Sequence, residues 1–311
     1  MWGASRSYVH APSPRTMRLM IVDVHTHAFA PAMLAARERL VGADAGFAAL
    51  YADARSRMAT ADEVIEAMDG AGVDRAVVAG FAWESPDLCA VHAGYLLDAA
   101  EQSEGRLLPF IPVPTAFLGG VDVDADAMRA WLEPLAARGA AGLGEIRIGG
   151  GPRSATIEEQ TLAADRLATL VAGFDLPLLV HSSEETGHEY PGKAGGFTPG
   201  GLWRLVASHP VRVIAAHWGG GLPFHALMPE VRAILNEGRL LFDSAASKYL
   251  YDPPVFTTVA SLAGMEHVAW GSDFPLRGMT ADRADAAAAM SDDALRAAAM
   301  GGNAARFLGL E

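Results

Sequence analysis

The segment Val22-Asp23-Val24-His25-Thr26-His27 ends an apolar run that begins at Leu19 and places two histidines at a spacing of two. In extended backbone, residues i and i+2 share a face, so both imidazoles project together, as two nitrogen ligands of one metal ion would. Other ionisable residues end apolar runs in the same way: Glu145 in Leu143-Gly144-Glu145, His181 after Pro177-Leu178-Leu179-Val180, His217 after Val213-Ile214-Ala215-Ala216, and Asp273 after Val268-Ala269-Trp270-Gly271-Ser272. Glu145, His181 and His217 follow one another at intervals of 36 residues, about one strand-helix unit of a large barrel.

The elements that must position these groups alternate. Short β-branched runs predict strands near 19–25, 75–81, 107–113, 141–148, 177–182, 211–217, 239–244 and 267–272. Between them, Ala/Leu/Glu/Arg segments of helical period lie near 60–71, 86–104, 122–138, 157–173, 199–208, 224–236, 254–263 and 282–299, the last read as a closing helix anchored by Phe307 and Leu308. Eight alternations without a compositional break predict an α/β protein, a single-domain (β/α)8 TIM barrel over residues 19–311. A doubly wound sheet would call for a glycine-rich turn after the first strand, where this chain has histidines. Two long loops, 28–59 after strand 1 and 183–199 after strand 5, follow strand C-termini, the active face of such barrels.

The six groups His25, His27, Glu145, His181, His217 and Asp273 are thus expected to converge at one barrel end. Four imidazoles and two carboxylates suit zinc, with manganese or iron as alternatives, and exceed what one tetrahedral ion needs. From about residue 19 to 308 the chain resembles the metal-dependent amidohydrolase superfamily, in its amidohydrolase-related (amidohydrolase 2) branch, which includes proteins similar to aminocarboxymuconate semialdehyde decarboxylase. The resemblance rests on Asp23-Val24-His25-Thr26-His27, Leu179-Val180-His181, Ala216-His217-Trp218-Gly219-Gly220 and Trp270-Gly271-Ser272-Asp273-Phe274-Pro275. It implies that His25, His27 and Asp273 bind a first ion, and that His181 and His217 bind a second or surround the first. It also matches Glu145 to the bridging carboxylate of two-ion members, which favours two ions here, whereas the decarboxylase-like members use one. The competing reading of Glu145 is a pair with Arg147 on the same strand face.

A bound divalent ion lowers the pKa of its water to about 7. Asp273 is then expected to accept the proton of that water, which would leave a metal-bound hydroxide, and to return it to the leaving group. Asp23 either orients a ligand imidazole or makes a core hydrogen bond. Candidates for substrate contact are Glu184, His188, Tyr190 and Lys193 in the second loop, Arg147 as a two-point carboxylate partner, and Trp83 at the mouth. Trp218 and Phe274 join Trp83 as candidates for an apolar wall. His10, His92, His209, His225 and His267 fall away from the mouth and are assigned no chemistry. The first reading is a metal-dependent hydrolase of a C–N or C–O bond in an amide, cyclic imide, lactone or ester. A metal-dependent non-oxidative decarboxylase is the alternative. A noncatalytic ligand-binding barrel is the third reading, and its mark would be a lost ligand.

A net charge of −13, from 37 acidic against 24 basic residues, argues against nucleic acid and anionic membrane as partners and leaves a small-molecule substrate. The single cysteine, Cys89, fits a reducing cytoplasm and the packing role of a small apolar residue on a helix. Residues 1–18 read as a flexible N-terminal extension with Met1, Met17 or Met20 as the start. No apolar run is long enough to span a membrane. The resemblance adds that dimers are frequent, so a homodimer is expected.

Overall fold

In the computed structural model, which describes residues 19–119, 123–148, 155–190 and 192–310, the eight apolar runs form eight parallel strands. The extension expected over 1–18 lies outside the described residues. The strands are β1 (Val22–His27), β2 (Arg75–Ala79), β3 (Leu107–Ile111), β4 (Gly142–Ile146), β5 (Leu178–Val180), β6 (Val213–Ala215), β7 (Leu240–Asp243) and β8 (Val268–Ala269). Each pairs with its neighbours in chain order. Backbone bonds join the two ends of the sheet: Val24 N–H to Trp270 O at 3.1 Å, His27 N–H to Phe274 O at 2.7 Å and Asp273 N–H to His25 O at 2.9 Å. The fold is the single-domain (β/α)8 barrel that the alternation predicts.

Parallel strands covered on both faces are built from near-continuous apolar runs, and alternate side chains go to different clusters. Ala76 and Val78 pack outward with helix residues such as Val64, Met68 and Leu96. Val77 and Ala79 pack inward with Val22, Val24, Leu179, Ile214 and Leu241, and Phe307 closes this inner cluster. Several of the surrounding helices start where a side chain supplies an acceptor for their free N–H groups. Thr60 with Glu63, and Thr156 with Glu159, form reciprocal capping boxes at Ala61–Ala71 and Ile157–Val171.

Several boundaries differ from the sequence expectation. β1 ends two residues later than the predicted strand, so both histidines lie within it. β6 stops at Ala215 because His217 and Trp218 turn into the left-handed region, at φ +56° and +58°. The expected closing helix 282–299 is instead Met279–Ala289 and Asp293–Ala297, because Asp292 accepts from the N–H groups of Ala294 and Leu295 and starts a new helix. Pro229, at the first turn of Pro229–Leu235, likewise shortens the predicted 224–236 helix. The loop after β1 carries the short helices Pro31–Ala35, Arg37–Ala43 and Ala45–Tyr51, which bring Leu50 and Tyr51 over the barrel mouth.

Candidate metal centre

Five of the six predicted groups present their side chains to one cavity of about 350 Å³ at the C-terminal end of the strands: His27, Glu145, His181, His217 and Asp273. His25 lies directly beneath, with no solvent exposure. Its Nε2 is 3.1 Å from His27 Nε2, 3.5 Å from Glu145 Oε2 and 3.8 Å from Asp273 Oδ1. His27 Nε2 is 3.3 Å from Asp273 Oδ1, and His217 Nε2 is 3.5 Å from Glu145 Oε1.

Second partners decide which ring nitrogen faces inward. A carbonyl oxygen only accepts, so the 3.2 Å contact from His27 Nδ1 to Ala79 O and the 3.1 Å contact from His217 Nδ1 to Ala245 O put the hydrogen on Nδ1. His25 Nδ1 meets Asp243 Oδ2 at 2.9 Å. All three rings therefore aim Nε2 at the carboxylates. Among the described residues, two sets of ligand atoms lie within 4.8 Å of one another, His25/His27/Asp273 and His25/Glu145/His217, with His25 common to both. His181 is engaged differently: Nδ1 meets Glu145 Oε1 at 2.6 Å and Nε2 meets Ser183 Oγ at 3.2 Å.

The electrostatics suit a cation. Burial alone would raise the Glu145 and Asp273 carboxyls, but the surrounding imidazoles hold both below their ordinary range. Burial likewise opposes charge on His25 and His217, yet Asp243 and Glu145 hold His25 well above its usual value, and Glu145 pushes His217 up to about 9. In His181 burial wins, and its pKa falls. Ionised carboxylates that gather protons on facing imidazoles form a donor set for a divalent ion, which would replace those protons. The His25 and His27 nitrogens, 3.1 Å apart, need a proton or a cation between their lone pairs. The donor set therefore fits a metal.

The backbone here is strained as well as the electrostatics. Asp273, at φ +56°, and His217 occupy left-handed conformations that cost non-glycine residues on the order of 1–3 kcal/mol each. Hydrogen bonds overcome that cost: the N–H of Asp273 goes to His25 O, and the N–H of His217 to Asp243 Oδ1 at 2.9 Å.

The walls depart from expectation. Trp83 is fully buried, with its Nε1 donating to His92 Nδ1 at 3.0 Å, and the aromatic that follows β2 onto the cavity wall is Phe81, stacked on His27 at 4.2 Å. Trp218 donates to Ser247 Oγ and packs edge-on to Phe256, and Phe274 belongs to the core. Leu50, Tyr51, Tyr249 and Leu276 supply apolar lining instead. Of the second loop, His188 and Tyr190 line the cavity. Glu184 accepts from Tyr190 Oη at 2.9 Å, and Lys193 Nζ donates to the carbonyls of Thr186 and His188 at 3.0 Å each, so these two brace the loop. Arg147 lines the cavity while Nη2 donates to the carbonyls of Gly192, at 3.0 Å, and Ala194. Asp23 reaches the N–H groups of His25 and Ser272 at 3.1 and 3.0 Å rather than an imidazole. The carboxylate on the His25 ring is Asp243, which sequence reasoning missed although it too ends an apolar run, Leu240-Leu241-Phe242.

The sequence profile of the amidohydrolase family matches residues 22–310. No curated protein matches the chain. Among solved structures, similarity extends to 5-carboxyvanillate decarboxylase from Sphingomonas paucimobilis, at 14% identity and a TM-score of 0.66, covering 94% of this chain and 99% of that one. It extends also to 5-carboxyvanillate decarboxylase from Novosphingobium aromaticivorans complexed with manganese and 4-hydroxy-3-methoxy-5-nitrobenzoic acid, at 16% identity and 0.67, covering 93% and 96%. A third is 2,6-dihydroxybenzoate decarboxylase from Rhizobium, at 16% and 0.65, covering 94% and 99%. At such identities the likeness concerns the fold.

Proposed function

The chain belongs to the amidohydrolase family, and from that premise we propose that it is a metal-dependent, non-oxidative decarboxylase of a small, apolar-bodied carboxylic acid. The observation that carries this reading is the cavity itself, in which Phe81, Leu50, Tyr51, Tyr249 and Leu276 stand over a floor of imidazoles and carboxylates. A carboxylate moved from water into such a pocket loses hydration that neutral carbon dioxide does not need, which favours breaking the C–C bond. The three structural relatives, all decarboxylases of aromatic acids, support the same choice over hydrolysis.

His25, His27 and Asp273 would hold the ion, with Glu145 and His217 beside it. Once bound, zinc or manganese would act as a Lewis acid that neutralises charge on the substrate. The chain's own residues do the rest. Phe81 and the loop residues Leu50 and Tyr51, on the cavity wall, would exclude water, and Arg147 beside them would receive an anionic substituent. The carbon that loses carbon dioxide needs a proton in exchange, and Asp273 and His217, both facing the cavity, are placed to hold and deliver it.

Hydrolysis of an amide or lactone, the first reading from sequence, becomes the second, kept because the Glu145 carboxylate lies between His25, His181 and His217 as a bridge between two ions would. The test is metal analysis, followed by assays of carbon dioxide release from hydroxylated aromatic acids and of amide and lactone hydrolysis, with Asp273→Asn as control. One ion per chain, and carbon dioxide release that the variant lowers at least about 100-fold, are expected. Two ions with hydrolysis and no carbon dioxide release would overturn the proposal. Full turnover in Asp273→Asn would remove the proton role.

A further inference from the structure

We propose that Asp243 is the positioning residue of the metal centre, the group that determines which nitrogen of His25 faces the cavity. The inference rests on reading His25 as a metal ligand and is independent of which reaction the site performs.

Asp243 is the last residue of β7 and has no solvent exposure. One carboxylate oxygen, Oδ2, meets His25 Nδ1 at 2.9 Å. The other, Oδ1, accepts the N–H of His217 at 2.9 Å and that of Ala245 at 3.0 Å. A single side chain thus ties together the His25 ring on β1, the left-handed backbone after β6, and its own turn after β7. With Oδ1 accepting two N–H groups and Oδ2 accepting from the ring, Nδ1 of His25 keeps its hydrogen, and the nitrogen free to bind a cation is Nε2. His27 and His217 receive the same instruction from the carbonyls of Ala79 and Ala245. His25, the ligand common to both candidate donor sets, receives it from a side chain, and so is open to a one-atom substitution.

Asp243→Asn makes the consequence sharp. If the new amide keeps its oxygen on the N–H groups of His217 and Ala245, its nitrogen faces His25 Nδ1 as a donor. The ring must then accept at Nδ1 and carry its hydrogen on Nε2, the nitrogen the cation needs. If the amide turns round, two buried N–H groups lose their acceptor.

The test uses zinc alone as the probe, with wild type and Asp243→Asn carrying ¹⁵N-labelled histidine. In the zinc-loaded wild type, long-range ¹H–¹⁵N spectra are expected to show His25 bound through Nε2 with a downfield Nδ1–H. In the variant the zinc dissociation constant should rise about 10- to 100-fold. The His25 Nδ1–H signal should vanish there while that of His27 stays, a pattern that a merely structural role would not give. Zinc affinity within about twofold of wild type with the His25 signal in place would overturn the proposal, as would joint loss of the His25 and His27 signals. Should the variant fail to fold, the wild-type spectrum decides, because absence of a His25 Nδ1–H in the zinc protein refutes the assignment and its presence supports it. Zinc binding as described, together with no carbon dioxide release from any acid, would retire the decarboxylase reading and leave this one standing.

Discussion

His92 offers a pH-linked stability change whose size follows from its surroundings. Its ring is fully buried in the helix Pro86–Gln102, against Phe29 at 5.2 Å, and both nitrogens are committed. Nε2–H donates to Ala28 O at 2.7 Å and Nδ1 accepts from Trp83 Nε1 at 3.0 Å. A second ring proton would point at the Trp83 N–H, itself a donor, in a fully buried site. Burial accordingly lowers the pKa from 6.5 to about 4. The unfolded chain therefore takes up its proton at the higher pH, so the stabilisation is fully present above about pH 6.5 and disappears as pH falls through 4. At about 1.4 kcal/mol per pH unit, the gap amounts to about 3 kcal/mol in full and about 2 kcal/mol between pH 7.5 and 5.0. The assay is urea unfolding of metal-free wild type and His92→Gln at those two pH values, since Gln can donate and accept in place of the two ring nitrogens. Wild type should lose about 2 kcal/mol more than the variant on acidification. Equal losses, within about 0.5 kcal/mol, would refute the assignment of a neutral buried ring.

Two further outcomes follow from local geometry. Gly220 has φ +60° and a Cβ there would lie 2.7 Å from the Ser183 carbonyl oxygen, whereas Gly238, at φ +70°, has no atom within 4 Å of the same added carbon. Gly238→Ala should cost about 1 kcal/mol from the left-handed backbone alone, and Gly220→Ala on the order of 2–4 kcal/mol by adding the collision, read as a lower melting temperature. Cys89 is buried against the Trp83 carbonyl and its thiol is pushed up to about 12 by burial, so the folded protein at pH 8 should not react with a disulfide reagent, while one thiol per chain should react in denaturant. Rapid labelling of the native protein would contradict that burial.

The barrel and the chemical groups at its rim were legible because each is written locally. An apolar run states a strand, and the ionisable residue that ends it states what the strand presents to the mouth. Who orients whom is not local. His25 and Asp243 lie 218 residues apart, and nothing near either one names the other. Asp243 carried the same signal as Glu145 and Asp273, an acid after Leu240-Leu241-Phe242, but ligand and ligand-holder give identical patterns in sequence and separate only when distances are known. The aromatic wall fails for a related reason. Phe81 and Trp83 share a parity beyond β2, and which one reaches the cavity depends on how the chain turns after Ala79 rather than on either residue's type. The left-handed backbone at His217 and Asp273 is hidden altogether, because glycine, the usual mark of that conformation, is absent at both positions. These silent features share one physical origin. Strained backbone and oriented rings at the rim are held by partners on other strands, so the closed barrel must exist before the site can take its shape.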